Sequence, residues 1–153
     1  MPKLLVFAPC QRVITDAQDN TASLIALMET LTFAIPTEQQ PEPEKGVAYA
    51  WTVFSLWLRE PEDEGKTFKQ YVEMIGPAGD RIFESVGDFR LTTRTHRVRI
   101  DLPGIPVTPP GTYCIRLSLQ EPTAAERAPV LAEWPLQIAH VAPEQDSETE
   151  TEA

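Results

Sequence analysis

The feature that most restricts this chain is a two-residue alternation of apolar and polar side chains, repeated in three segments of its second half. In residues 95–102, His96, Val98, Ile100 and Leu102 share one face, and Thr95, Arg97, Arg99 and Asp101 share the other. In residues 112–120, Tyr113, Ile115, Leu117 and Leu119 oppose Thr112, Cys114, Arg116, Ser118 and Gln120. In residues 130–138 the apolar set is Val130, Ala132, Trp134, Leu136 and Ile138. Side chains of an extended backbone point to opposite sides in turn, so each segment is expected as a half-buried strand. Pro135 lies on the polar face of the third segment, and a residue without an N–H predicts an edge strand there.

Composition points the same way. The chain carries 15 prolines in 153 residues, roughly twice average usage. Proline breaks helix interiors but is tolerated at turns and strand edges, so the expectation is an all-β fold. Hydrophobic residues at 42% and charged residues at 24% suffice for a packed core without staples. The expected architecture is one antiparallel β-sandwich of about 7–9 strands. It would span residues 1–142, with residues 143–153 as a disordered acidic tail because they contain no bulky apolar side chain.

The first half is less regular. Residues 4–8 read as a buried first strand. Residues 47–58 begin with alternation and become apolar on both faces, as a central strand would. Phe68, Val72 and Met74 mark another strand, and residues 82–83 and 89–91 read as short pieces leading into Thr95. Residues 36–46 form a Pro/Glu loop, while residues 60–65 and 76–80 read as hairpin turns. Residues 22–35 fit two patterns. Leu24, Leu27, Met28, Leu31 and Ile35 make a helical stripe, with Asn20 or Thr21 available as a cap. Ile25, Leu27, Leu31, Phe33 and Ile35 make a strand face.

A net charge of −10 disfavours nucleic acid and anionic membranes, because both need clustered Lys and Arg. No apolar run reaches the roughly 20 residues needed to cross a bilayer. Residues 4–8 are also shorter than the apolar region of a secretion signal, which gives a cytoplasmic expectation. Two histidines, His96 and His140, offer little material for a metal site or a triad. Cys10 and Cys114 lack a neighbouring base or a CxxC context, and 7 glycines form no phosphate-binding pattern. No cofactor, no metal and no catalytic residue is therefore expected. The candidate contact residues are Arg94, Arg97, Arg99 and Arg116, since Arg90, Arg94, Arg97 and Arg99 cluster within ten residues of a chain with only 13 Lys plus Arg. A positive stripe on an acidic chain suits an acidic partner or a second copy; a solvated face paired with the Glu-rich loops is the plainer alternative.

Two stretches carry a resemblance. Leu4-Leu5-Val6-Phe7-Ala8 followed by Asp19-Asn20-Thr21-Ala22-Ser23-Leu24-Ile25 resembles the opening of an uncharacterised family of small bacterial proteins. Pro110-Gly111-Thr112-Tyr113 is similar to a late strand of that family and of many immunoglobulin-like sandwiches. The resemblance implies a single immunoglobulin-like β-sandwich, tips residues 22–35 toward strand, and implies no activity. Tyr113 is adjacent to Cys114, so the antibody-type disulfide is not expected. Two function classes follow. One is a non-enzymatic binding or structural module that meets another protein through loops or an arginine-bearing face. The other is a small-ligand binder or hydrolase-like enzyme with a loop-assembled site.

Overall fold

A computed structural model describes residues 1–35 and 46–144. The loop expected over residues 36–46 lies outside them except for Gly46, and the tail lies outside them beyond Glu144. Among the described residues there are nine strands and one short 3-10 turn, so the fold is all-β. The strands are β1 (Lys3–Thr15), β2 (Ala22–Leu27), β3 (Thr30–Ala34), β4 (Gly46–Leu58), β5 (Thr67–Ile75), β6 (Arg81–Arg90), β7 (Thr95–Pro106), β8 (Gly111–Gln120) and β9 (Ala132–Val141). They make a four-stranded sheet in the order β2-β1-β4-β7 and a five-stranded sheet in the order β3-β9-β8-β5-β6. The arrangement is sandwich-like, with one core between the sheets. All pairings are antiparallel except β3 with β9, which is parallel.

The alternating segments behave as their patterns require. Tyr113, Ile115, Leu117 and Leu119 are fully buried, as are Leu136 and Ile138. They pack with Trp51, Val53 and Trp57 of β4 and with Phe68, Val72 and Met74 of β5. The two-faced apolar run belongs to β4, a central strand between β1 and β7, and consecutive burial of Trp51 to Ser55 shows that both its faces are covered. Three buried side chains hold the sheets in register by polar contact. Gln70 Oε1 accepts from Trp57 Nε1 at 2.9 Å and from Ser55 Oγ at 2.9 Å, joining β5 to β4 across the core.

Several expectations need correction. Residues 22–35 are neither one helix nor one strand. They form β2 in one sheet and β3 in the other, and the chain changes sheet at Met28–Glu29. Met28 N donates to Pro9 O at 3.0 Å on one side of this corner. On the other, Glu29 O accepts from Gln137 N at 2.9 Å and Met28 O accepts from Trp134 Nε1 at 2.8 Å. β9 is not an edge strand, since β3 and β8 flank it. Its pairing with β3 starts only at Gln137, so Pro135 sits just before that ladder and removes no bond from it. Val130 is not inward; it precedes β9 and is exposed. Residues 60–65 do not close a hairpin, because β4 and β5 lie in different sheets; residues 76–80 do, between β5 and β6. The two short pieces around residues 82 and 90 are a single ten-residue strand, β6.

β1 is longer than residues 4–8 and changes partner along its length. Lys3 to Cys10 pairs with β4, and Cys10 to Thr15 pairs with β2. Val13, Ala22 and Leu24 pack with Cys10, Phe54, Val6 and Leu56 in a second apolar cluster. Those β4 residues share the outer face of the four-stranded sheet with Arg97 and Arg99. The β1–β2 hairpin thus folds back over that outer face as a flap. Its turn is built from carboxylates: Asp16 Oδ1 accepts from Gln18 N at 2.7 Å, and Asp19 Oδ1 from Thr21 N at 3.0 Å. Asn20 supplies the left-handed backbone there, with φ 58°.

Candidate functional site

Among the described strands, β6 is the open edge of the five-stranded sheet that lies beside a groove. It is ten residues long, pairs only with β5, and carries its one register irregularity at the Arg81 end. The other edges are interrupted to different degrees, β7 only beyond its proline-free residues 95–102. β2 has six residues with Ala26 in the left-handed region at φ 54°, β3 has five residues, and β7 ends in Pro103 and Pro106. Short strands, kinks and prolines are how sheets prevent unwanted strand addition. β6 has no proline, and its inward positions Phe83, Ser85, Gly87 and Phe89 carry no charge. At its middle Val86 is half exposed, and a Cβ at Gly87 would meet nothing within 4 Å.

An apolar groove of about 420 Å³ opens beside the first residues of β6. Ile82 and Phe83 line one side, and Val47, Pro103, Ile105 and Pro106 line the other. The groove lies between β6 of one sheet and β4–β7 of the other, and Phe83 closes its inner end edge-on against Trp51 at 6.2 Å. A smaller polar recess of about 260 Å³, bounded by Asp80, Arg81 and Thr108, continues from it through Ile82 and Pro106. Another open groove, about 490 Å³, sits at the uncovered end of β9 and is lined by Glu29, Thr112, Trp134, Pro135 and Gln137.

The outer face beside β6 holds an ionic row set by register. Glu84, Glu73, Arg116 and Glu133 stand opposite one another across β6, β5, β8 and β9. Arg127, from the loop between β8 and β9, reaches back across this row. It donates to Glu73 Oε1 at 2.5 Å and to Glu84 Oε2 at 3.0 Å while its guanidinium lies over the Tyr71 ring at 5.0 Å. Arg81 adds a second cation, 3.0 Å from Glu84 and 3.5 Å from Glu73. Burial pushes the Glu73 carboxyl up, but the Arg127 hydrogen bond and the surrounding charges outweigh it and hold the group below its usual range.

The four candidate arginines do not form one patch. Arg97 and Arg99 are on β7 and Arg94 on the loop before it, whereas Arg116 is on β8 in the opposite sheet. Arg97 Nη2 donates to Asn20 O at 2.6 Å and fastens the flap. Arg99 Nε donates to Asp101 Oδ1 at 3.1 Å. Thr52 Oγ donates to the same oxygen at 2.7 Å, and the two bonds lower the Asp101 carboxyl pKa. Arg116 meets Glu133 at 3.0 Å as a charge contact, its Nε making no aligned hydrogen bond. Arg99 and Arg116 each meet a carboxylate, whereas Arg97 holds a neutral carbonyl and keeps its charge.

The histidines lie in different sheets. His96 faces inward from β7 and stacks on Phe89 at 5.2 Å, where burial lowers its pKa. His140 of β9 bonds through Nε2 to Val107 O. Cys10 and Cys114 are free thiols, and burial raises the Cys10 pKa. Among the described residues, no three His, Cys, Asp or Glu side chains are grouped to hold a metal ion, and no helix is long and apolar enough to cross a membrane.

A comparison with protein-family models finds no match, and a search of curated proteins returns no significant relative.

Sequence reading missed β6 as an edge and Arg127 as a clamp. The signal for β6 was present in the alternation of Glu84, Val86, Asp88 and Arg90 with Phe83, Ser85, Gly87 and Phe89, but Gly87-Asp88 reads locally as a break. Arg127 sits in a loop with no periodicity, and only folding brings it to Glu73.

Proposed function

We propose that this chain is an immunoglobulin-like, non-enzymatic protein-binding module that takes an extended segment of another polypeptide along β6. The observation that carries the reading is the β6 edge itself: ten residues of backbone with one side unpaired among the described residues, beside an apolar groove. Such an edge offers a row of main-chain donors and acceptors to an incoming strand, and an adjacent groove adds side-chain selectivity. The sheet order supports the immunoglobulin-like part. If β4, β5, β7, β8 and β9 are taken as strands B, C, E, F and G, then B pairs with E in one sheet, and C, F and G are neighbours in the other. Tyr113 Oη donates to Pro109 O at 2.7 Å, the form of a tyrosine corner at the start of strand F. On this assignment β6 occupies the position next to C.

The test is amide chemical-shift mapping of the labelled protein against extended peptides selected from a displayed library. Shifts concentrated on residues 81–90 and at Val47 and Ile105 support the reading. Val86→Pro, which removes an N–H from the edge, should abolish them while the protein still melts cooperatively. Selected peptides whose shifts fall on the Arg94/Arg97/Arg99 side or on the groove at Trp134 would sink it.

A further inference from the structure

We propose that the strand added at β6 is β6 of a second copy, paired antiparallel about Gly87; this rests on the reading of β6 as the docking edge and names its occupant. The argument is the order of charges on the outer side of the strand. By register with β5, Glu84, Val86, Asp88 and Arg90 all face outward with Glu73, Tyr71, Lys69 and Thr67. When two β6 strands run antiparallel with Gly87 opposite Gly87, Glu84 stands opposite the partner's Arg90, and Arg90 opposite the partner's Glu84. Two attractive pairs form, related by the two-fold axis. The neighbouring register centred on Val86 instead puts Glu84 opposite the partner's Asp88 twice, a repulsive arrangement. The charges therefore select one register.

The geometry at the axis suits close approach. Gly87 has no side chain and open space around it, and the exposed Val86 side chains of the two copies come to diagonal positions. Glu84 engages Arg81 and Arg127 through Oε2, and a carboxylate has a second oxygen for the incoming guanidinium. Arg90 holds Gly65 O through Nε at 2.9 Å, one of five N–H donors on the group. The pairing would join two five-stranded sheets edge to edge and remove the open edge from both copies. Each copy carries a net charge of −10, so long-range repulsion opposes association at low salt. A Debye length of about 8 Å at physiological ionic strength screens that repulsion more than it screens a contact pair.

The experiment is sedimentation velocity with hydrogen–deuterium exchange on the full chain, at physiological ionic strength over a range of protein concentrations. A dimer whose formation protects the amides of residues 81–90 is expected. Glu84→Arg and Arg90→Glu should each raise the dissociation constant at least about tenfold. An equimolar mixture of the two variants should recover the dimer, because both cross-copy contacts are then attractive, and loss of stability alone does not predict that recovery. Arg90→Lys, which leaves the Glu73–Glu84 cluster untouched, should retain association where Arg90→Glu loses it. A chain that stays monomeric while selected peptides still shift the β6 amides overturns the second copy and leaves the docking edge standing. A dimer protected elsewhere, with β6 amides indifferent to every partner, overturns both.

Discussion

The side-chain carbonyl of Gln70 accepts the indole N–H of Trp57 at 2.9 Å inside the core, so a polar bond joins two strands of different sheets. Both residues are essentially without solvent contact. An amide in that position fixes how far β4 and β5 can slide, because only one offset brings Oε1 to both Trp57 and Ser55. Gln70→Leu fills similar space but leaves the indole N–H and the Ser55 hydroxyl without their acceptor. The expected loss is about 2–6 kcal/mol by urea unfolding, since each of the two stranded buried donors costs roughly 1–3 kcal/mol. A change below about 0.5 kcal/mol, the range typical of surface substitutions, would show that the two donors find other partners.

Tyr113→Phe removes only the hydroxyl that donates to Pro109 O. The ring remains buried, so packing is kept and the cost should be about 1 kcal/mol. Differential scanning calorimetry should place the variant a few degrees below wild type. An unchanged midpoint would mean that the bond contributes nothing net to the corner.

His96 gives the fold a dependence on mild acid. Burial against Phe89 disfavours its charged form, so its folded pKa lies below the ordinary value of 6.5. The unfolded chain binds the proton more readily, which makes the contribution of His96 to stability complete above about pH 6.5 and progressively lost as pH falls through the folded value. His96→Phe should flatten the slope of unfolding free energy against pH just below that point. A slope identical in variant and wild type would place its origin elsewhere.

Arg127→Ala should release the loop between β8 and β9 and leave Glu73 with Arg81 as its nearest cation, 3.5 Å away. Half-exposed guanidinium contacts are screened, so the stability loss should be modest, roughly 1–2 kcal/mol. Faster proteolysis within residues 121–131 is the sharper readout. Glu73 loses its main hydrogen-bond donor, so its carboxyl pKa should rise, visible by carboxyl-carbon NMR titration. A loop equally resistant in the variant would show that its backbone bonds to Leu117 and Leu119 suffice.

Arg97→Gln should loosen the flap and not the sandwich. Exchange should quicken at residues 16–27, because the guanidinium bond to Asn20 O is lost, while β4 and β8 amides keep their protection. Quickening spread over the whole molecule would mean that the flap is part of the cooperative core.

Much of the sandwich was legible before folding, for a simple reason. A strand with one wet face must alternate, so β7, β8 and the apolar half of β9 announce themselves, and a strand covered on both faces must be apolar on both, as β4 is. Burial is a property of single side chains and leaves its mark on residue type. Partner choice leaves no such mark. Whether residues 22–35 stay in one sheet depends on carbonyls of Met28 and Glu29 meeting Trp134 and Gln137, more than a hundred positions away. Whether Pro135 marks an edge depends on where β3 begins to pair.

The same division holds for the site. The sequence determined by itself that Arg97 and Arg99 face outward from β7, because Val98 and Ile100 claim the core side. Tertiary structure alone decided that Arg97 is spent on the flap, that Arg116 sits on the other sheet, and that β6 is the last of the described strands in its sheet. Alternation is local and is set by the two-residue period of an extended chain. Strand order and charge pairing are set by which distant segments bury each other's apolar faces, and that is settled only when the whole core closes.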